Sequence, residues 1–274
     1  MPELPEVETI VRGLRRCAVN KRIKKVKVSF AKIISPPRGL AFLAGDSFSS
    51  FGRHGKYLKL TTRQGVRLVV HLRMTGQLFM AKNYTPDRHV HIILELSGGE
   101  KLYYRDIRKF GRWVVVPPGK DFADYINAGV DALAVSLAAF TKLVQKNKNK
   151  ALKVFLLDQT IIAGVGNIYA DETAFRLKLN PQVPVGAIPP RKLLSAVVAV
   201  LKLGIKNKGT SVSDYITSTG ARGNFQNLLN VYQQKNCRRC GTPIQRGKLA
   251  GRTTHFCPKC QPCLTGAGRA APED

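Results

Sequence analysis

Four cysteines near the end of the chain commit that end to a metal-nucleated fold. Cys237-x2-Cys240 and Cys257-x2-Cys260 are separated by sixteen residues, a spacing that brings four thiolates tetrahedrally around one Zn2+. Four protein ligands leave no open coordination position, so the expected ion is a single structural one with no catalytic role. It would hold the intervening hairpin, which carries Arg246, Lys248 and Arg252. Cys17 and Cys263 are left as free thiols, a usage that suits an intracellular protein better than a disulfide framework.

Charge narrows the partner. Lys and Arg total 45 against 17 Asp and Glu, a net charge of +28 over 274 residues. Such an excess calls for a polyanion, of which nucleic acid is the commonest. A hydrophobic content of 44% excludes a merely disordered basic tail. The length suffices for two domains and a small module. No run approaches the ~18 apolar residues of a membrane span, and no signal-peptide pattern opens the chain. A cytoplasmic, nucleoid-associated protein without membrane contact is expected.

The opening, Met1-Pro2-Glu3-Leu4-Pro5-Glu6-Val7-Glu8-Thr9, is chemically unusual. Removal of Met1 would free the secondary amine of Pro2, and an α-amino group with a pKa of about 7.7 to 8.0 is partly unprotonated near neutral pH. Glu3 and Glu6 lie beside it in sequence. Pro5 suits a first helical position, and acids suit the first turn. Val7, Ile10, Val11, Leu14 and Ala18 then form one apolar stripe of an amphipathic helix.

Eight short apolar-rich runs follow between Ile23 and Val116, several of them alternating, as in Leu58-Lys59-Leu60. They predict a two-sheet sandwich. From Ser136 the period becomes helical. Lys146-Asn147-Lys148-Asn149-Lys150 reads as a solvated helix end, and Asn167 as the N-cap of a helix starting at Ile168. A helix from Pro190 to Lys208 would bury Leu194, Val197, Val198, Leu201 and Ile205. His89 and His91 alternate on a strand with no third ligand near, which predicts a polar sheet face. Thr217 to Gly223 reads as a flexible polar loop.

Several of these stretches together resemble the bacterial formamidopyrimidine-DNA glycosylase family. The resemblance rests on Pro-Glu-Leu-Pro-Glu-Val-Glu-Thr from Pro2, Gly-Lys-Tyr-Leu around Lys56, His-Leu-Arg-Met-Thr-Gly around Met74, Asp-Ile-Arg-Lys-Phe-Gly around Arg108, Gly-Val-Gly-Asn-Ile-Tyr-Ala around Asn167, and the cysteine hairpin. It runs from Pro2 to Gln261. It implies catalytic roles for Pro2 as nucleophile, Glu3 as proton donor to the sugar ring, Glu6 as support for the amine, Lys56 as proton donor in β-elimination, and Arg252 in δ-elimination. It implies DNA contacts at Met74, His89, Arg108, Phe110, Lys148, Lys153, Asn167 and Arg252, with Met74, Arg108 and Phe110 filling the gap left by an everted nucleotide. Two departures stand out: Ala221 where some members carry Lys, and Gln233-Gln234-Lys235-Asn236 in place of a Gly-Arg-containing link.

The expected architecture is α+β. An N-terminal β-sandwich with flanking helices spans 1–131, a helix-two-turns-helix domain 132–230, and a zinc-finger hairpin 231–262, with a disordered tail at 263–274. The implied activity is a monomeric glycosylase and abasic-site lyase acting on oxidised purines in double-stranded DNA. Two rivals stay open. The related endonuclease VIII branch favours oxidised pyrimidines, although Leu4 stands where that branch has Gly. A zinc-ribbon nucleic-acid-binding protein without chemistry would share the charge and the cysteines but leave the N-terminal string and Lys56 unexplained.

Overall fold

The computed structural model of the protein describes residues 1–36 and 39–262. The tail from Cys263 to Asp274 lies outside the described residues. Helix α1 (Leu4–Cys17) buries the predicted stripe completely: Val7, Ile10, Val11, Leu14 and the capping residue Ala18 are all at 0% exposure. Each large apolar side chain so buried contributes about 1.5–3 kcal/mol. The helix begins one residue before Pro5 because Glu3 and Glu6 form a reciprocal capping box, Glu6 accepting the Glu3 amide at 2.8 Å.

Two antiparallel-rich sheets follow, built from β1 (Ile23–Val28), β2 (Ile34–Ser35), β3 (Phe48–His54), β4 (Tyr57–Thr62), β5 (Arg67–His71), β6 (Gly76–Ala81), β7 (Val90–Leu96), β8 (Lys101–Asp106) and β9 (Arg112–Val116). One sheet has the order β1-β7-β8-β6 and the other β2-β9-β5-β4-β3. All eight predicted runs are strands. The two-residue β2, paired parallel to β9, is too short to leave a periodic signal. Alternation sets the faces: in β4, Leu58, Leu60 and Thr62 point inward while Lys59 and Thr61 do not. Trp113, fully buried, meets Tyr104 edge-on at 5.5 Å between the sheets.

The chain then enters β10 (Val130–Asp131), α2 (Leu137–Lys146), α3 (Leu152–Leu157), β11 (Ile162–Ala163), α4 (Asn167–Leu177) and α5 (Pro190–Lys206), and ends in the hairpin β12 (Gln245–Leu249) and β13 (Arg252–Phe256). Ser136, where the helical period begins, caps α2 by accepting the Ala139 amide at 3.2 Å. The buried face of α5 is Leu193, Ala196, Val197, Val200, Leu201 and Gly204, turned from the predicted one. The reason is Gly204: a Cβ there would fall 2.6 Å from the Tyr169 ring, so the aromatic occupies the groove that the missing side chain leaves. Nine of the eleven residues of α4 are buried, making it the central helix of this half.

The two halves are joined through charge. Arg53 on β3, only 8% exposed at its side chain, pairs with Glu8 at 3.0 Å and with Asp131 on β10. Asp131 also accepts the Gly55 and Leu133 amides at 2.7 and 3.0 Å. Although burial pushes its carboxyl up, Arg53 and these amides hold it below the usual value. Arg53→Ala would strand Asp131 without a counter-charge and is expected to cost about 3 kcal/mol or more, read as a lowered guanidinium midpoint. An unchanged midpoint would refute this role.

Candidate active site

The N-terminal residues converge on the start of α4. Met1 is 44% exposed, while Pro2, Glu3 and Glu6 are buried. The Glu3 carboxylate accepts the Ile168 amide at 3.0 Å and the Tyr169 amide at 3.4 Å, so an anion from α1 satisfies the helix start that the sequence assigns to an Asn167 cap. Gly166 makes this approach possible, since a Cβ there would lie 2.2 Å from the Glu3 carboxyl carbon. Asn167 is instead the first residue of α4, and its Nδ2 donates to the Thr253 carbonyl at 3.0 Å. Glu6 accepts the Tyr169 hydroxyl and the Thr210 amide, each at 2.7 Å.

Lys56, 5% exposed, makes no side-chain hydrogen bond or ion pair among the described residues. Burial holds its ammonium below the ordinary lysine value; Glu3 and Glu6 pull it up, and Arg252 adds to the depression. Burial likewise raises the Glu3 carboxyl against the pull of Lys56 and the α4 amides. Glu6 is pushed up to about 7 by burial and by Glu3. A carboxyl raised and an amine lowered beside a buried N-terminal residue are groups whose charge the site has shifted toward neutrality, as acid–base sites do.

A second group of predicted residues lies on two loops bound to each other. Met74, between β5 and β6, is 41% exposed, and Phe110, after β8, is 47% exposed. The Arg108 guanidinium lies 4.5 Å from the Phe110 ring centre. The fully buried Asp106 holds both loops. It accepts the Thr75 hydroxyl beside Met74, the Tyr104 hydroxyl at 3.1 Å, and the Arg108 and Gly111 amides at 3.2 and 2.8 Å. Two exposed apolar tips on fixed backbones suit insertion between stacked bases.

His89 is half-buried; its backbone carbonyl accepts the Asp106 amide at 2.9 Å, and its ring lies 3.4 Å from the Arg88 Nε. His91 does not lie on a polar face: it is 2% exposed, with Nε2 at 2.9 Å from the Asp106 carbonyl. Lys148 is exposed beyond α2. Lys153, expected to reach DNA, is wholly buried, 2.7 Å from Asp171 and donating to the Thr253 carbonyl at 2.8 Å. Arg252 is exposed at the start of β13. The polar loop after Tyr215 is anchored, not free: Thr217 and Ser218 are buried, and the Ser218 carbonyl accepts the Met80 amide at 2.7 Å. Gly13 of α1 accommodates it, because a Cβ there would overlap the Ser218 hydroxyl. Sequence reasoning passed over Tyr169, Asp106 and Asp171. Each stands inside a stretch it had singled out, but a buried acid on a short motif looks the same as a solvated one.

The sulfurs of Cys237, Cys240, Cys257 and Cys260 lie within 4.8 Å of one another, with separations of 3.5 to 3.9 Å for three pairs. A tetrahedron with Zn–S bonds of about 2.3 Å has edges of about 3.8 Å, so the four residues fit one metal ion and not a disulfide. The hairpin they close is anchored by Asp171 and Lys153. The entering segment is held by Glu172, which accepts the Asn230, Val231 and Tyr232 amides at 2.9 to 3.1 Å. Gln233 in the variant link adopts a left-handed φ of 57°, where a glycine would be relaxed.

Comparison with known proteins agrees with this arrangement. Residues 1–113 match the formamidopyrimidine-DNA glycosylase N-terminal domain, 129–215 the H2TH domain of the same proteins, and 235–262 a zinc finger found in FPG and IleRS. The formamidopyrimidine-DNA glycosylase of Pelotomaculum thermopropionicum is 41% identical over 95% of this chain and 99% of its own length. That of Synechococcus is 39% identical over 96% of this chain and 100% of its own. Crystal structures of the Lactococcus lactis Fpg protein, one of a point mutant with Fapy-dG-containing DNA and one with abasic-site DNA, superpose with TM-scores of 0.85 and 0.84 at 32% identity, covering 95% of this chain. Sandwich, helical domain and four-thiolate hairpin define a zinc-finger DNA-repair glycosylase. The chain belongs to the formamidopyrimidine-DNA glycosylase family.

Two measurements probe the site. Glu6 titrates at about 7 in the fold against an ordinary 4.5, so its contribution to stability is full below the lower value and is lost as pH rises through the higher one. The melting temperature should therefore fall less between pH 5 and pH 8 in Glu6→Gln than in the parent; equal falls would reject the raised value. Chelation of the metal should speed amide exchange in 245–256 by roughly tenfold or more while leaving β4 and β5 protected. Equal protection of the hairpin after chelation would show that it stands without the ion.

Proposed function

We propose that the protein is a bifunctional DNA glycosylase and abasic-site lyase that everts and removes oxidised purines, 8-oxoguanine and formamidopyrimidines, and then cuts the strand. The observation that carries this reading is the burial of Pro2 next to Glu3, with Lys56 electrostatically coupled to the same carboxyl. Met1 must first be removed, since its peptide bond occupies the Pro2 nitrogen. The freed amine attacks C1′ of the damaged nucleoside, and the base departs with the glycosidic electron pair. Glu3 gives a proton to the ring oxygen, which opens the sugar and leaves an iminium on Pro2.

The iminium acidifies the C2′ proton. Its loss, followed by protonation of the departing 3′ phosphate, is β-elimination, with Lys56 as the proton donor. Loss of a C4′ proton then expels the 5′ phosphate in δ-elimination, assisted by Arg252, and water hydrolyses the remaining imine to regenerate the amine. Glu6 supports the N-terminus through its bonds to Tyr169 and Thr210. Met74, Arg108 and Phe110 fill the vacated stack, and His89, Lys148 and Asn167 contact the backbone. For Lys153, burial supports an indirect role. The domains are read as 1–131, 132–230 and 231–262, acting as a monomer on nucleoid DNA.

One observation favours a broader substrate range: the Lactococcus lactis relative is also known in complex with oxidised-pyrimidine DNA. The decisive experiment is borohydride trapping on a duplex carrying one 8-oxoguanine, with the intact mass of the free protein taken alongside. Protein lacking Met1 should form a covalent adduct, and Pro2→Gly should lower the cleavage rate by about 100-fold or more. A Pro2→Gly variant cutting as fast as the parent would sink the assignment.

A further inference from the structure

A lysine, an aspartate and a histidine from separate elements meet under the metal hairpin, and the reaction proposed above does not use them directly. Lys153 of α3 and Asp171 of α4 are both at 0% exposure, and His255 of β13 is at 4%. The Lys153 ammonium lies 2.7 Å from one Asp171 oxygen. The other Asp171 oxygen accepts the His255 amide at 3.0 Å and lies 3.1 Å from His255 Nδ1. Lys153 also donates to the Thr253 carbonyl, which takes a second bond from Asn167. The Tyr232 ring backs His255 at 4.9 Å. Thus the backbone on both sides of Thr254 is fixed to the helical domain, immediately after Arg252.

A lone buried ion pair is a poor source of net stability, because desolvation offsets the attraction. Here every bond from the pair ends on β13, so its product is position. We infer that the Lys153–Asp171–His255 cluster is a positioning device that holds β13 against α4 and thereby aims Arg252 at the phosphate of the reacting nucleotide. Asp171 is its pivot and touches neither DNA nor sugar. The inference rests on the proposed lyase chemistry for its main readout, while its salt readout stands apart from that chemistry.

The test uses full-length protein lacking Met1 and loaded with zinc, on abasic-site duplex, comparing parent, Asp171→Asn, His255→Phe and Arg252→Ala. Per strand cut, the ratio of δ- to β-elimination product should fall roughly 10- to 100-fold in Asp171→Asn, approaching that of Arg252→Ala. The slope of log affinity against log salt should flatten by about 0.9, the loss of one phosphate contact. A purely structural lesion would lower all products together and leave the ratio in place. Parental ratio and slope in an Asp171→Asn protein with full zinc content and parental melting would overturn the inference. If Asp171→Asn does not fold, His255→Phe, which keeps the ring against Tyr232, decides on the same ratio and slope. If the parent itself yields no trapped imine, the lyase reading fails, and the salt slope alone decides the positioning role.

Discussion

The contact between the Glu3 carboxylate and the first amides of α4 is the constraint on which the site depends. A helix start leaves several amides unsatisfied and carries partial positive charge, and in most settings water or a bound anion answers it. Here the answer comes from the far end of the chain. One carboxylate thereby closes α4, seats α1, and fixes the residue before it at the interface of the two halves. Gly166 and Gly164 are the steric conditions for that closure, since side chains at either would meet Glu3 or Leu4.

The same logic extends to the other acids. The chain has only 17 Asp and Glu, and several of them are buried: Glu3, Glu6, Asp106, Asp131, Asp171 and Glu172. Each accepts backbone amides or a buried cation, so each serves as an internal joint. Glu172 secures the segment entering the metal hairpin, Asp106 the two exposed loops, and Asp131 the domain junction. Withdrawing these negative charges from the surface leaves the excess of lysine and arginine to face solvent. The exterior is then more cationic than the composition alone would make it, which suits a polyanionic partner.

Much of this was legible in the residues. The α1 stripe, the eight principal strands, the start of the helical half near Ser136 and the four-thiolate cluster follow from periodicity and ligand spacing, which are local. The misreadings share one cause. The rotated face of α5, the anchored loop at Ser218 and the buried His91 depend on partners supplied by distant elements, the Tyr169 ring, Gly13 and the Asp106 carbonyl, and no local pattern encodes them. Lys153 shows the limit most clearly, because a lysine between apolar residues reads as a reaching cation until Asp171 is found beneath it. Resemblance supplied the names of the site residues, but Tyr169, Asp106 and Asp171, which hold several of them in place, appear only when the chain is folded.

The distance along the chain between the partners at the N-terminus has a consequence for how the protein is made. Glu3 waits for residues 165 and 166 positions later, and Glu6 for one 204 positions later. The first residues to leave the ribosome are therefore among the last to find their places. Throughout that interval the chain end at Met1 and Pro2 is not yet enclosed by its later partners. On the reading proposed above, in which Pro2 acts as a free amine, the order of synthesis gives processing its opportunity before Pro2 is buried.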